Sequence, residues 1–136
     1  VRIGAERPKM ALLSASEEVN PRIPCSVEAR RIAEMALPGG PLAGEFSVEG
    51  PLDLACAIDA RVAQIKGVSG QVPGRADAII APDIVSANTL AKAFVYLGGS
   101  PVAACAVGAA VPIGMVSRAS PSGDKLKALL FALACR

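Results

Sequence analysis

Met10-Ala-Leu-Leu-Ser14 is a short uninterrupted apolar run, followed by a polar loop and then by residues at helical spacing. A strand with one wet face alternates apolar and polar residues, whereas a strand covered on both faces of a parallel sheet reads as continuously apolar. The run therefore predicts a buried strand with helices around it, an α/β class. The order strand, loop, helix then recurs along the chain.

Ser26 is placed to cap a helix in which Ala29, Ile32, Ala33, Ala36 and Leu37 repeat at helical spacing, and Pro38-Gly39-Gly40 ends it. Glu45 to Glu49 alternates polar and apolar, so it predicts a half-buried strand near a sheet edge, and Gly50-Pro51 is read as a turn into a helix running to about Lys66. Gly67 to Gly74 is turn chemistry, Ala76 to Ala81 a strand, and Asn88 to Leu97 a helix with Gly98 at the left-handed closing position. Val102 to Val107 and Ile113 to Ser117 predict two more strands, and the last helix carries Leu126, Leu129, Leu130 and Leu133 on one stripe. The seam falls near Gly98 to Pro101, giving an α/β unit over residues 1–100 and a further segment over 101–136.

Composition narrows the chemistry. Hydrophobic residues make up 52% of the chain but aromatics only 3%, so the core has to be built from closely packed Ala, Val, Leu and Ile. A net charge of +2 with scattered basic residues gives no stripe for a nucleic-acid backbone. The absence of histidine removes the commonest general base, the Ser-His and Cys-His pairs, and His-containing metal sites. Cys25, Cys56, Cys105 and Cys135 are too far apart in sequence for a Cys-x-x-Cys site and read as small, buried, reduced residues, so no metal is expected. The uncharged stretch from Ala93 to Ser117 is broken by Gly98, Gly99, Pro101, Gly108, Pro112 and Gly114, so it predicts strands and no membrane helix. The N-terminal residues lack a signal-peptide pattern, which fits a cytoplasmic fragment.

Ligands of open α/β sheets gather where strands end and loops lead into helices, so the candidate loops are Ser14 to Glu18, Asp83 to Asn88 and Ser117 to Asp124. Ser117-Arg118 at a strand end, with Asp124 in the next helix's first turn, sets a hydroxyl donor, a fixed cation and a carboxylate in one segment. Arg binds phosphate oxygens through a planar fork, Ser can donate to charge growing on an acyl oxygen, and Asp can serve as a general base. On spacing alone, a helix cap and a solvated loop charge account for Asp124 and Arg118 more simply than catalysis does. Asp83 and Asn88 read the same way, as helix caps.

Several segments in order resemble the phosphate acetyltransferase and butyryltransferase family: Pro8-Lys-Met-Ala-Leu-Leu-Ser-Ala-Ser-Glu-Glu-Val-Asn20, Gly50-Pro-Leu-Asp-Leu54, Gly74-Arg-Ala-Asp77, Ala81-Pro-Asp-Ile84 leading to Asn88, and Val111-Pro-Ile113 leading to Ser117-Arg118. The resemblance runs from about Pro8 onward and implies the C-terminal half of such a protein. It implies a three-layer α/β sandwich resembling the isocitrate and isopropylmalate dehydrogenase fold, present only in part. Residues 1–100 would match the family's second domain, and 101–136 would return to pack with the absent N-terminal domain, commonly in a homodimer.

The resemblance also implies acyl transfer between coenzyme A and inorganic phosphate, giving acyl phosphate, with coenzyme A as substrate and no permanently bound cofactor. Ser117 and Arg118 would hold the phosphate and the reacting acyl group, Asp124 would take the proton from the coenzyme A thiol, and Asn88 and Ser14 would line the substrate site. The family's catalytic Cys would lie upstream of Val1. Ala87-Asn88, Ala91-Lys92 and Ser120-Pro-Ser-Gly123 depart from the family's usual residues. Two other roles for the same chain are a noncatalytic regulatory domain that binds acyl-CoA and a structural dimerisation fragment.

Overall fold

Strand β1 (Lys9–Leu13) is the centre of a parallel sheet ordered β2-β1-β3, completed by β2 (Ser47–Leu52) and β3 (Ala78–Ile80). The structure is a computed structural model and describes residues 6–118 and 120–135. Side chains alternate across the pleat, so Ala11 and Leu12 face opposite ways. Ala11 packs with Leu52, Cys56, Ala57 and Val72, while Leu12 lies beside Gly50 and Ala29. Helix α1 (Pro24–Met35) thus covers one face, and α2 (Leu54–Ile58) lies against β1 on the other. The continuous apolar run at the start of the chain is the covered central strand, as its pattern predicts.

Small residues let these layers approach closely. Ala11, Cys56, Ala57 and Val72 are fully buried, and each buried Val or Leu contributes about 1.5–3 kcal/mol. A Cβ on Gly50 would stand 2.6 Å from the Leu12 Cβ, so only glycine fits the crossing of β2 and β1. Gly50-Pro51 therefore lies inside β2 and does not turn into a helix as expected. Pro51 is tolerated because β2 is an edge strand, and the β1–β2 register slips between Ala11 and Leu13 where it enters.

The expected helix to Lys66 is two short ones, α2 and α3 (Ala60–Ile65), because each begins on an aspartate. Asp53 accepts from Cys56 N at 2.6 Å, and Asp59, held extended between the helices, accepts from Arg61 N and Val62 N. Ser26 is not the cap of α1. It sits in the first turn, fully buried, its hydroxyl accepting from Asn20 N at 2.9 Å and donating to Ile23 O at 2.8 Å.

The described residues fall into two compact units that divide between Asn88 and Thr89. Helix α4 (Ile84–Tyr96) begins in the first unit, four residues before the sequence placed its start, because Asp83 caps it through Ser86 N at 2.8 Å. The division lies inside α4, upstream of the Gly98 to Pro101 seam. The left-handed closing residue is Gly99, with φ of +64°, one position beyond the expected Gly98.

In the second unit β4 (Ala104–Ala106) and β5 (Ile113–Met115) form an antiparallel pair covered by α5 (Ser122–Ala134). Small residues again face inward: Ala128, Ala132 and Cys135 are buried on one stripe, and a Cβ on Gly114 would stand 3.1 Å from Ala128 O. The leucine stripe faces out, with Leu130 58% exposed. Among the described residues no helix is long and apolar enough to cross a membrane.

This orientation is directly testable. Ala128→Leu forces a large side chain against β5 and is expected to lower stability by about 1–3 kcal/mol, whereas Leu130→Ala changes it by less than about 0.5 kcal/mol. Urea midpoints of the two variants check both values.

Candidate functional site

The carboxyl ends of β1, β2 and β3 form one rim of the parallel sheet in the first unit; β1 and β3 run into polar loops, and β2 passes through Asp53 alone into α2. Ser14 follows β1, its backbone N donating to Leu52 O at 2.8 Å and its hydroxyl 3.6 Å from Cys25 Sγ. Asp83 follows β3 and holds Ser86 through both the backbone N and the hydroxyl. Those bonds keep the Asp83 carboxyl below its ordinary value. Asn88 is exposed in the second turn of α4 and caps nothing, because the helix starts earlier than its sequence indicated.

A charged cluster on the same rim escaped the sequence reading. Glu17 is no solvated loop residue: Lys66 Nζ donates to Glu17 Oε1 at 3.0 Å and to Asp53 Oδ2 at 2.6 Å. Burial raises the pKa of both carboxyls, but the Lys66 hydrogen bond and backbone donors outweigh it, so both lie below their ordinary values. The Lys66 pKa is raised, first by Asp53 and then by Glu17. Cys56 lies beside them, pushed up to about 12 by burial and then by the two carboxylates, so it is a protonated and unreactive thiol at neutral pH. Ligand atoms of Glu17, Asp53 and Cys56 lie within 4.8 Å of one another, with the Lys66 ammonium bonded to both carboxylates. Its effect is to staple the loop after β1 to the start of α2. Forty-nine residues separate Glu17 from Lys66, so only the capping position of Asp53 was visible locally.

A groove of about 340 Å³ opens beside this staple, with Arg30 and Glu34 of α1 on one side and Glu49, Pro51 and Ser69 among its other lining residues. Its only sequence trace was the Gly50-Pro51 pair.

In the second unit Ser117 and Arg118 come two and three residues after β5, both exposed. Ser120 N donates to Ser117 O at 3.0 Å, which turns the chain toward α5. Asp124 sits in the first turn of α5, where its Oδ1 accepts from Lys127 Nζ at 3.0 Å, and the capping residue Pro121 supplies no side-chain acceptor. The structure therefore gathers Ser117, Arg118 and Asp124 on one strand-to-helix connection, and Ser14 and Asp83 on one rim of the other unit. A hydroxyl, an exposed guanidinium and the start of a helix without a side-chain cap suit an anion.

A profile of the family described as "Phosphate acetyl/butaryl transferase" matches residues 1–133. The chain is 39% identical over 126 residues to a phosphate acetyltransferase of Rhizobium meliloti, covering 93% of this chain and 39% of that protein. It is 34% identical over 130 residues to a phosphate butyryltransferase of Clostridium acetobutylicum, covering 96% of this chain and 42% of that protein. The crystal structure of a branched-chain phosphotransacylase from Enterococcus faecalis V583 superposes with a TM-score of 0.84 at 35% identity, over 96% of this chain and 46% of that one. The chain thus spans about two fifths of the length of these curated relatives.

The staple gives a pH prediction. Both carboxyls are depressed, so their contribution is complete above the unfolded values of 4.5 and 3.8 and is lost as pH falls through the lower folded ones. Urea midpoints of the wild type are expected to fall below about pH 4.5 more steeply than those of Lys66→Met, whose carboxyls lack the ammonium. Asp53→Ala is expected to lower stability by about 1–2 kcal/mol at pH 7 through loss of the α2 cap, and Asp53→Asn by less.

Proposed function

The chain belongs to the phosphate acetyl/butaryl transferase family, and from that premise we propose that it is the C-terminal part of a phosphate acyltransferase that converts acyl-CoA and inorganic phosphate to acyl phosphate and coenzyme A. The observation that carries the proposal is the β5–α5 connection, where Ser117 and Arg118 leave a strand end and Asp124 lies in the first turn of an uncapped helix.

Phosphate binds to the Arg118 fork and the first amides of α5, which neutralise it without forming a covalent bond. One phosphate oxygen attacks the thioester carbon, and the Ser117 hydroxyl donates to the oxygen that becomes negative. The tetrahedral species collapses with loss of the coenzyme A thiolate. In the reverse direction Asp124 takes the proton from the thiol so that sulfur can attack the acyl phosphate. Lys127 Nζ donates to Asp124 Oδ1 at 3.0 Å and so holds the carboxylate in place at the start of α5. Ser14 and Asn88, at the carboxyl end of the parallel sheet, are further candidate substrate-binding residues. Coenzyme A enters as a substrate, and the reaction needs no bound cofactor.

The wider architecture follows from the same premise. The three-layer arrangement of α1, sheet and α2 fits a partial isocitrate and isopropylmalate dehydrogenase-like sandwich. Residues 1–100 correspond to the second domain, and 101–136 pack with the N-terminal domain of the parent protein. Leu126, Leu129, Leu130 and Leu133, each more than half exposed, give α5 an apolar face that the parent's remaining residues would cover. The working form is a cytoplasmic homodimer.

Phosphate-dependent thiol release from acetyl-CoA and butyryl-CoA tests this. A chain lengthened upstream to the size of its relatives is expected to turn over, to lose at least 100-fold in kcat/KM on Arg118→Ala, and to contrast with a silent 136-residue chain. A lengthened chain that binds acyl-CoA without turnover would replace this reading with a regulatory domain.

A further inference from the structure

Two thiols face each other in the second unit, and neither belongs to the site described above. Cys105 is the middle residue of β4, paired with Gly114 of β5. Cys135 closes α5 and lies on the same inward stripe as Ala128 and Ala132. Gly114 lets the α5 backbone come close to β5, which carries the end of the helix toward β4. The two sulfurs are 3.6 Å apart. A disulfide spans about 2.0 Å, so each sulfur has to move by only about 0.8 Å to form one.

The pair is also reachable. Cys135 lines an open pocket of about 450 Å³ whose remaining walls are the β4–β5 turn from Val107 to Pro112, and Cys105 is half-buried. The other two cysteines are engaged elsewhere, Cys25 with the Ser14 hydroxyl and Cys56 beside the Glu17 and Asp53 carboxylates.

We propose that Cys105 and Cys135 form a modification site, a dithiol that closes to an intramolecular disulfide on reaction with a low-molecular-weight disulfide such as oxidised glutathione. One thiol loses its proton and attacks the small disulfide, forming a mixed disulfide and releasing one small thiol that takes up the proton. The second cysteine then attacks the mixed bond and releases a second small thiol, so the two protein thiols are oxidised and one small disulfide is reduced to two thiols. The closed ring contains Ser117, Arg118 and Asp124, so oxidation restrains that connection at both ends. Burial, and then the hydrogen bond to Cys135, raise the pKa of Cys105, so closure quickens as pH rises through the alkaline range.

The test is a tryptic map without reduction, after incubating the intact chain with oxidised glutathione, unfolding it in denaturant and alkylating the remaining thiols. The expected product joins peptides 93–118 and 128–136, two hydrogens lighter than their sum, with Cys25 and Cys56 alkylated. Its thermal midpoint is expected to lie about 10 °C above that of the reduced chain, and Cys105→Ser is expected to abolish both the joined pair and the shift. Four alkylated thiols, glutathione adducts without the joined pair, or a link to Cys25 or Cys56 would each overturn the proposal.

Discussion

Close approach of backbones through small side chains governs both units. Ala11 against Cys56 and Ala57 brings α2 onto the central strand, Gly50 lets β2 cross Leu12, and Ala128 with Gly114 seats α5 on the hairpin. A core without large aromatics cannot hold its layers apart and fill the space between them, so it gains dispersion and burial by thin, dense packing. The corollary lies on the outside. The bulky aliphatic residues that these interfaces exclude, including Ile84, Val85, Leu97 and the four leucines of α5, remain exposed.

That division explains how the rim and the β5–α5 connection can be well positioned in a chain this short. The loop after β1 is pinned by Lys66 to the aspartate that starts α2, and the loop after β3 by Asp83 to the first turn of α4. Each pin combines a charge with a helix cap, so removing one residue loosens a loop and frays a helix end together. The Ser117 to Asp124 connection has a backbone turn at one end and an ion pair at the other. Such supports fix polar groups in advance, which would lower the cost of binding at the proposed site.

The features set by local pattern were legible in the sequence. The central strand followed from its unbroken apolar run, the edge position of β2 from its alternation, and the presence of β4 and β5 from two apolar runs. Features fixed by distant contacts were not. Pro51 sits in a strand because of where β2 lies in the sheet, and Ser26 turns back into its own loop because Asn20 offers it partners. Glu17 finds Lys66 only after the chain has folded. The leucine stripe of α5 was visible, but its direction depends on alanines that fit the hairpin more closely. Ser117, Arg118 and Asp124 stood out as a motif, and their chemistry came from the family they resemble.

In the proposed parent protein the exposed aliphatic face of the second unit is an internal surface. Amide hydrogen exchange over β4, β5 and α5, compared between this chain and one lengthened upstream to the size of its relatives, tests it most directly. Amides of residues 104–106, 113–115 and 122–134 are expected to exchange at least about 10-fold more slowly in the longer chain, while those of β1 change little. Equal exchange of α5 in the two chains would contradict it, because the leucine face would then be a free surface in both.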